Sequence, residues 1–540
     1  MRKAALLFLI ALIAASCAQV LTPGGGPKDA TPPRVVHYFP DSAATNFTGK
    51  RIVIRFDEYV QLKDLNSQLI VSPPMREQPD VNIRKKEIVI DLNDTLLENT
   101  TYTISFGNSI SDITEGNKLD NFRYVFSTGP VIDSIRFSGR VVNASTLAGE
   151  KGVLVMLYKS TGDSVPYKER PYYFTKTKDD GGFLLTNLQA GKYKVFALDD
   201  KNQNYLYDNS EERIAFADDL VDLDTNVDTM LLKMFREEPS KQSKMRVTQN
   251  MPGRVTLAYA LPLKNPQVQF VPEIPSSMNP LIEKSVTGDS LDIWLSSIAL
   301  DSVKIIVSDE SGFADTSASI TLSKTGQTKH SSRGGGTNAR KLQLGTNIQS
   351  AQSFQSGKPL IVNSNIPIRE WKAADFILLR GTDTLQAEIA VSENKRFFTF
   401  KNAFEEDSAY SLFIRPGVLT DWFGQKNDTL KVRFKIQSAS TYGKLSITPT
   451  GLPAGHYQLQ VVNEKDQLLR ELTISGSAPV AFEKMAGGTF RLKLVNDENS
   501  NGKWDTGNYL LHRQPERVIY YVKPVKMRAG WDMDVEWVFN

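Results

Sequence analysis

From Pro32 onward the chain alternates apolar and polar residues in short runs, and Asp, Asn, Gly and Pro break each run before it can lengthen. Ile52-Val53-Ile54-Arg55-Phe56, Glu87-Ile88-Val89-Ile90-Asp91-Leu92, Tyr102-Thr103-Ile104-Ser105-Phe106 and Phe122-Arg123-Tyr124-Val125-Phe126 each put alternate side chains on one face, the pattern of a half-buried strand. No long segment carries a helical period. The expected fold class is therefore all-β, a tandem row of β-sandwiches. A chain of 540 residues cannot share one core, because single cores stop growing at roughly 250–300 residues. With 40% hydrophobic and 23% charged residues, each unit can bury enough apolar surface to offset its ordering entropy. Cys17 is the single cysteine, so no internal disulfide can form and every sandwich must rest on its apolar core.

The charge balance excludes one class of partner. The formal charge is +3, and Arg2 and Lys3 at the N-terminus supply two of those charges. What remains provides no field for a polyanion, and nucleic acid is not an expected partner.

The N-terminus carries an address. Met1-Arg2-Lys3 is followed by an uncharged apolar run from Ala4 to Ala15 and by Ser16-Cys17. Those twelve residues would cover about 18 Å as a helix, short of the ~30 Å hydrocarbon core. The segment resembles a bacterial lipoprotein signal peptide with its lipobox, although Ala14 stands where that family usually has Leu. The resemblance implies cleavage after residue 16 and acylation of Cys17, each buried CH₂ adding ~0.8 kcal/mol of membrane affinity. Residues 17–33, rich in Gly and Pro, read as a tether. Ala18 occupies the place where an Asp would favour inner-membrane retention in Gram-negative lipoproteins, so the expected address is the cell envelope at the outer membrane, either face.

Internal repeats set the expected domain order. Pro32-Pro33, Phe39-Pro40-Asp41, Ile54-Arg55-Phe56-Asp57-Glu58, Asn99-Thr100-Thr101-Tyr102 and the stretch from Asp112 to Thr128 resemble a bacterial Ig-like domain of the S-layer type, over 34–129. A fainter copy spans 342–437, with Pro359-Leu360-Ile361-Val362, Phe397-Phe398-Thr399-Phe400 and Ser408-Ala409-Tyr410-Ser411-Leu412-Phe413, and a degenerate copy spans 245–324. A different repeat occupies 134–236 and 443–540: the run from Gly191 to Asp200 aligns without gaps on that from Gly488 to Asp497. With Asp180-Gly181-Gly182-Phe183 it resembles the carboxypeptidase-regulatory or transthyretin-like sandwich. Residues 325–341, polar and glycine-rich, read as a flexible linker. The full layout resembles Ig-like-domain lipoproteins of the Bacteroidetes type.

Two matched loops are the convergent polar clusters. Asp200, Asn202, Asn204 and Asp208 stand at relative places 1, 3, 5 and 9, and Asp497, Asn499, Asn501 and Asp505 repeat that spacing. Such spacing turns carboxylate and amide oxygens toward one point, which suits Ca²⁺ at about 2.3–2.6 Å. It equally suits plain turns, in which Asp and Asn bond their own backbone. Against the twelve-place calcium pattern, the first loop has Tyr205 at the glycine place and Glu211 at the closing place, while the second has Gly502 and Asn508. Tyr207 and Trp504 are expected to pack under these loops.

An enzyme is not expected. Gly288-Asp289-Ser290-Leu291 spells the nucleophile block of a lipase and esterase family, and Gly162-Asp163-Ser164 nearly repeats it. That family also needs an Asp three residues before a catalytic His, and Gln327, Pro453 and Tyr509 precede the candidate histidines here. Asp292-Ile293-Trp294-Leu295 continues as a strand rather than a strand-to-helix elbow. Asp57-Glu58 and Glu405-Glu406-Asp407 are expected to be solvated rather than a glycosidase couple. The leading expectation is a membrane-anchored structural, adhesive or scaffold protein with a protein or glycan partner. The alternative is a carbohydrate-binding accessory, in which exposed aromatics such as Trp371, Trp422, Trp504, Trp531 and Trp537 would stack on sugars. Exposure of Trp371 and Trp422 on one face would favour it, whereas Trp531 and Trp537, at alternating strand positions, are expected in a core.

Overall fold

The computed structural model describes residues 29–209, 211–239, 241–317, 319–322, 341–348 and 353–539. The expected leader 1–16, Cys17, most of the tether and nearly all of the linker lie outside the described residues. No described helix is long and apolar enough to cross a membrane. The fold is all-β, as the alternation implies. The chain divides into two compact units, Met1–Arg236 with Gly507–Pro515, and Glu237–Thr506 with Glu516–Asn540.

In the first unit, the strands Val35–Phe39, Arg51–Phe56, Glu87–Asp91 and Asp80–Arg84 form a four-stranded antiparallel sheet in that spatial order. A three-stranded sheet of Ile70–Ser72, Thr101–Gly107 and Phe122–Ser127 packs on it. Register follows the alternation: Ile52 lies opposite Ile90 and Ile54 opposite Ile88, all four fully buried, while Arg51 and Arg55 face solvent. Each such side chain contributes about 1.5–3 kcal/mol by leaving water. The second unit repeats the plan twice. Lys244–Met251, Arg254–Tyr259, Ser290–Leu295 and Pro280–Lys284 form one four-stranded sheet, and Leu344–Thr346, Ile361–Ser364, Phe397–Phe400 and Ile389–Val391 form another.

Two internal marks tie the outer copies together. The Tyr102 hydroxyl accepts the Leu97 N–H at 2.8 Å while its ring stacks on Phe126 at 5.3 Å, and Tyr410 does the same with the Glu405 N–H at 2.8 Å and Phe434 at 5.6 Å. Asp112 and Asp421, both buried, organise the following turn by accepting backbone N–H groups. Asp112 takes those of Glu115, Gly116 and Asn117 at 2.6, 2.9 and 2.7 Å. Asp421 Oδ1 takes those of Phe423 and Gln425 at 2.9 and 2.8 Å, and its Oδ2 is buried without a partner.

The other sandwich type is also duplicated, strand for strand. In the first unit Gly182–Leu188, Ile135–Asn143 and Val227–Met234 make a mixed three-stranded sheet, and Tyr173–Lys176, Leu154–Tyr158, Lys192–Leu198 and Ile214–Phe216 lie in the facing sheet. In the second unit Val480–Ala486, Tyr442–Thr450 and Met533–Val538 repeat the first sheet, and Leu468–Ile474, Tyr457–Val462, Gly488–Asn496 and Val518–Tyr520 the second. One glycine marks the same place in each. A Cβ on Gly139 would stand 2.0 Å from the Met230 carbonyl oxygen, and one on Gly443 would stand 1.9 Å from that of Trp531. The parallel closing strand can approach this closely only beside a residue without a side chain.

The first unit is completed by its segment Gly507–Pro515. Tyr509, 1% exposed, stands edge-on to Phe196 and Phe216 with ring centres 5.0 and 5.3 Å away, and Gln514 donates to the Phe216 carbonyl at 3.0 Å.

Two predictions follow from this packing. Gly443→Ala should cost about 1–3 kcal/mol by forcing the closing strand away, read as lost amide protection across Met533–Val538 with the outer Ig-type sandwiches unchanged. The paired aspartates should give opposite pH slopes. Burial pushes the Asp112 carboxyl up, but its backbone N–H partners outweigh it and the pKa lies below the ordinary value. Asp112 therefore stabilises fully above the ordinary carboxylate pKa of about 4, and its contribution is lost as pH falls through the lowered value. Burial also pushes Asp421 up, and there the N–H groups recover only part. Its neutral form suits the fold, so its contribution is full below about 4 and lost as pH rises through the raised value. Hydrogen exchange around 115–117 and 423–425, corrected for intrinsic rate, checks both signs, and Asp421→Asn should flatten the second slope alone.

Candidate functional site

The matched loops close as the spacing requires. Each follows a buried strand, Lys192–Leu198 or Gly488–Asn496, that delivers its first aspartate to the loop mouth. Asp200 accepts the Gln203 and Tyr205 N–H groups at 2.7 and 2.9 Å. Asn202 and Asn204 accept backbone N–H groups through their oxygens and donate their amides to the two oxygens of Asp208, at 3.0 and 2.7 Å. In the second loop Asp497 accepts Asn501 and Gly502 N–H groups at 3.0 and 2.8 Å, with the Gln458 amide at 2.9 Å. Asn499 and Asn501 both donate to Asp505. All eight residues singled out from spacing are thus brought together, four to a loop. Tyr207 is buried, and the Trp504 indole donates to the Glu516 carbonyl at 3.0 Å, so both pack under their loops.

The closing residue is not the one the twelve-place count points to. Glu211 is exposed, and Glu212, fully buried, closes the first loop by accepting the N–H groups of Lys201, Asp208 and Asn209 at 3.1, 3.3 and 3.3 Å. Asn508 pairs with Arg513, and Glu516 closes the second loop on the N–H groups of Glu498 and Asp505 at 2.9 and 2.8 Å. The signal was present: Glu212-Arg213-Ile214 and Glu516-Arg517-Val518 match, displaced by a longer excursion in the second copy. Burial raises the Glu516 pKa, with the charges of Asp505 and Asp497 adding to it and the two N–H bonds offsetting part. Burial acts in the same direction on Asp497, but Gln458 and the loop N–H groups outweigh it, and its pKa is lowered. Among the described residues, no group of three or more His, Cys, Asp or Glu side chains is placed to share a metal ion. A cation here would draw on amide oxygens as well as on two carboxylates.

A second polar cluster, unmarked in the sequence, joins neighbouring sandwiches inside the second unit. Trp294 lies on the strand Ser290–Leu295, yet it is fully buried in the apolar cluster of residues 342–436. Its indole donates to Glu283 at 3.1 Å, and Arg396 and Asn394 from the next sandwich reach the same carboxylate, both at 3.0 Å. The guanidinium groups of Arg254 and Arg396 lie 4.8 and 6.0 Å from the Trp294 ring. Trp422, 3% exposed, donates to the Asn279 carbonyl at 3.0 Å. Trp371 packs edge-on to Phe376 and Phe398. Trp537 is core as expected, whereas Trp531 is 63% exposed beside Arg528, contrary to its place in the alternation, because its strand begins only at Met533.

The strings that suggested hydrolysis have other employment. Ser290 opens its strand opposite Ala258 with its N–H bonded to Ser285 at 3.1 Å, and Asp163 pairs with Lys194 at 2.6 Å and His512 at 3.4 Å. Glu405 pairs with Arg380, Asp407 with Lys435, and Glu406 accepts from Ser356 and Ala439.

Residues 29–128 match the family described as a bacterial Ig-like domain. No curated protein matches the chain. Among solved structures, titin domains A168–A170 align over 48% of this chain and 92% of theirs, at 8% identity and a TM-score of 0.15. Domains 1–6 of the surface layer protein SbsC align over 89% and 67%, at 12% identity and 0.14. A Bacteroides ovatus SGBP-B from a mixed-linkage glucan utilization locus, in complex with a mixed-linkage heptasaccharide, aligns over 64% and 87%, at 10% identity and 0.17.

The joint makes a measurable demand. Glu283 and Arg396 have side chains only 11% and 23% exposed. Arg396→Ala leaves a shielded carboxylate without its counter-charge and should cost about 3 kcal/mol, and making both residues leucine should recover only part of it, because the buried Trp294 indole then loses its acceptor. Denaturation of the whole chain followed by tryptophan emission, with hydrogen exchange locating the loss to 279–296 and 361–400, checks it.

Proposed function

We propose that the chain is a lipid-anchored protein of the cell envelope, at the outer membrane, that works without catalysis as a structural, adhesive or scaffold row of Ig-like and transthyretin-like sandwiches. The observation that carries this reading is the Trp294 joint, where one sandwich lends a tryptophan to the next core and a shared carboxylate fastens it. A module that turns over substrate gains little from such a brace; one that holds a fixed spacing depends on it. The polar clusters support the same reading, since Asp112, Asp421, Glu212 and Glu516 all accept backbone N–H groups. Burial of Trp422 and packing of Trp371 favour this role over sugar binding at those two rings, which would need open aromatic faces, while Trp531 is exposed.

The anchor rests on the sequence Ala14-Ala15-Ser16-Cys17. Its test is membrane partition of the parent and of Cys17→Ser, with intact mass measured on the parent. The parent should gain the mass of acyl chains and sediment with membranes, and Cys17→Ser should be released. Equal partition of both forms, with no added mass, rejects the anchor.

Structural Ca²⁺ in the paired loops belongs to the same proposal. The support is the gathering of two carboxylates and two side-chain amides in each loop, closed by a buried glutamate in each. At a hundredfold excess over Kd, Ca²⁺ should add about 2.7 kcal/mol to stability, seen as a raised unfolding temperature reversed by chelator. Asp505→Ala should abolish the response of the second loop. Unfolding curves that coincide in Ca²⁺ and in chelator would leave the loops as hydrogen-bonded turns.

A further inference from the structure

The first unit closes a surface that the second unit leaves open. Superposing the stacked corner pairs, Tyr102 with Phe126 on Tyr410 with Phe434, matches the outward-facing Thr103 and Arg123 to Ser411 and Lys431. In the first unit this face is occupied by the neighbouring sandwich. Phe174, 3% exposed on the edge strand Tyr173–Lys176, donates its N–H to Ser72 at 3.4 Å, and Arg123 reaches Thr186 at 3.1 Å. The remaining space there is about 30 Å³.

In the second unit the same face, on Phe376–Arg380, Ala409–Ile414 and Leu430–Ile436, is a groove of about 860 Å³ lined by Leu379, Ser411, Lys431 and Arg433. The strand that should fill it is open as well. Leu468–Ile474 is the counterpart of Tyr173–Lys176, an edge strand in the same position of the same sheet, and its Leu468, Leu469 and Leu472 are 52%, 38% and 36% exposed. Register places Glu471 at the position of Phe174, the one opposite Gln460 and the other opposite its equivalent Met156. Within one chain the two do not meet, and the connection between the sandwiches is pinned. Glu406 accepts the Ala439 N–H at 2.8 Å, Thr441 accepts the Gly530 N–H at 3.0 Å, and Gln355 donates to the Lys484 carbonyl at 3.3 Å.

We propose that the groove and the edge strand meet between two copies of this chain, the strand Leu468–Ile474 of one copy lying on the Lys431–Arg433 face of the other with Glu471 in the place that Phe174 holds in the first unit. The charges agree: Glu464 and Glu471 are exposed beside the edge strand, and Lys431 and Arg433 are exposed in the groove. Such pairs fix register and exclude wrong partners. Each copy offers both surfaces, so association closes as a two-fold dimer or continues head to tail.

The test uses the full chain carrying Cys17→Ser, so that lipid plays no part, followed by sedimentation over rising concentration. The parent should self-associate. Glu464→Lys with Glu471→Lys, and separately Lys431→Glu with Arg433→Glu, should each weaken association by about tenfold or more. Because the first variant keeps an intact groove and the second an intact edge, their mixture should form a one-to-one complex that neither forms alone. All four positions are exposed, and unchanged amide protection of the sandwich core certifies the fold of each variant. A parent that stays monomeric at every concentration, or variants that associate as the parent does, overturns the proposal.

Discussion

The constraint on which everything else depends is that apolar burial between facing sheets must hold each sandwich without covalent help. With Cys17 the single cysteine, no staple crosses any core. Stability then comes from rows such as Ile52, Ile54 and Phe56 against Ile88 and Ile90, where a slip of one residue would turn the row to solvent. This dependence explains the density of devices that fix register. The tyrosine hydroxyls that accept Leu97 and Glu405 N–H groups pin the entry to a central strand, and Gly139 and Gly443 let the parallel closing strand approach.

Carboxylates serve the same end. Asp112 and Asp421 are the same residue of the same motif, yet their environments push them in opposite directions. Three N–H donors compensate the buried charge of the first, and two donors on a single oxygen leave the second short. In the loops after Leu198 and Asn496, a buried glutamate holds the far side of the loop while the aspartates hold the near side. Polar groups in these positions would be costly if unpaired, so the loop backbone is organised around them.

At the joint in the second unit, the same physics operates between modules. Trp294 supplies area, Glu283 supplies a hydrogen-bond acceptor for the indole and a counter-charge for Arg396, and the pair is shielded enough that each part needs the other. The result is that these two neighbouring modules share one apolar cluster and one shielded ion pair.

Much of this was legible in the residues. Alternation marked the strands Arg51–Phe56, Glu87–Asp91 and Thr101–Gly107, because which face of a strand is buried repeats every second residue and needs no knowledge of what lies opposite. Equal spacing in the Asp/Asn loops marked their convergence, because a tight turn is a local object. Tertiary structure showed that Glu212 rather than Glu211 closes the first loop and that Glu516 returns to the second after a long excursion, which the matching Glu-Arg pairs only hinted at, and it alone decided that Trp294 belongs to the core of the next sandwich while Trp531 faces solvent. It also decided which sheet faces are covered: Arg123 and Lys431 occupy equivalent strand positions, and only the packing around them tells one from the other. Local pattern encodes orientation within an element; contacts across the chain depend on register and on which surfaces the connecting segments allow to meet.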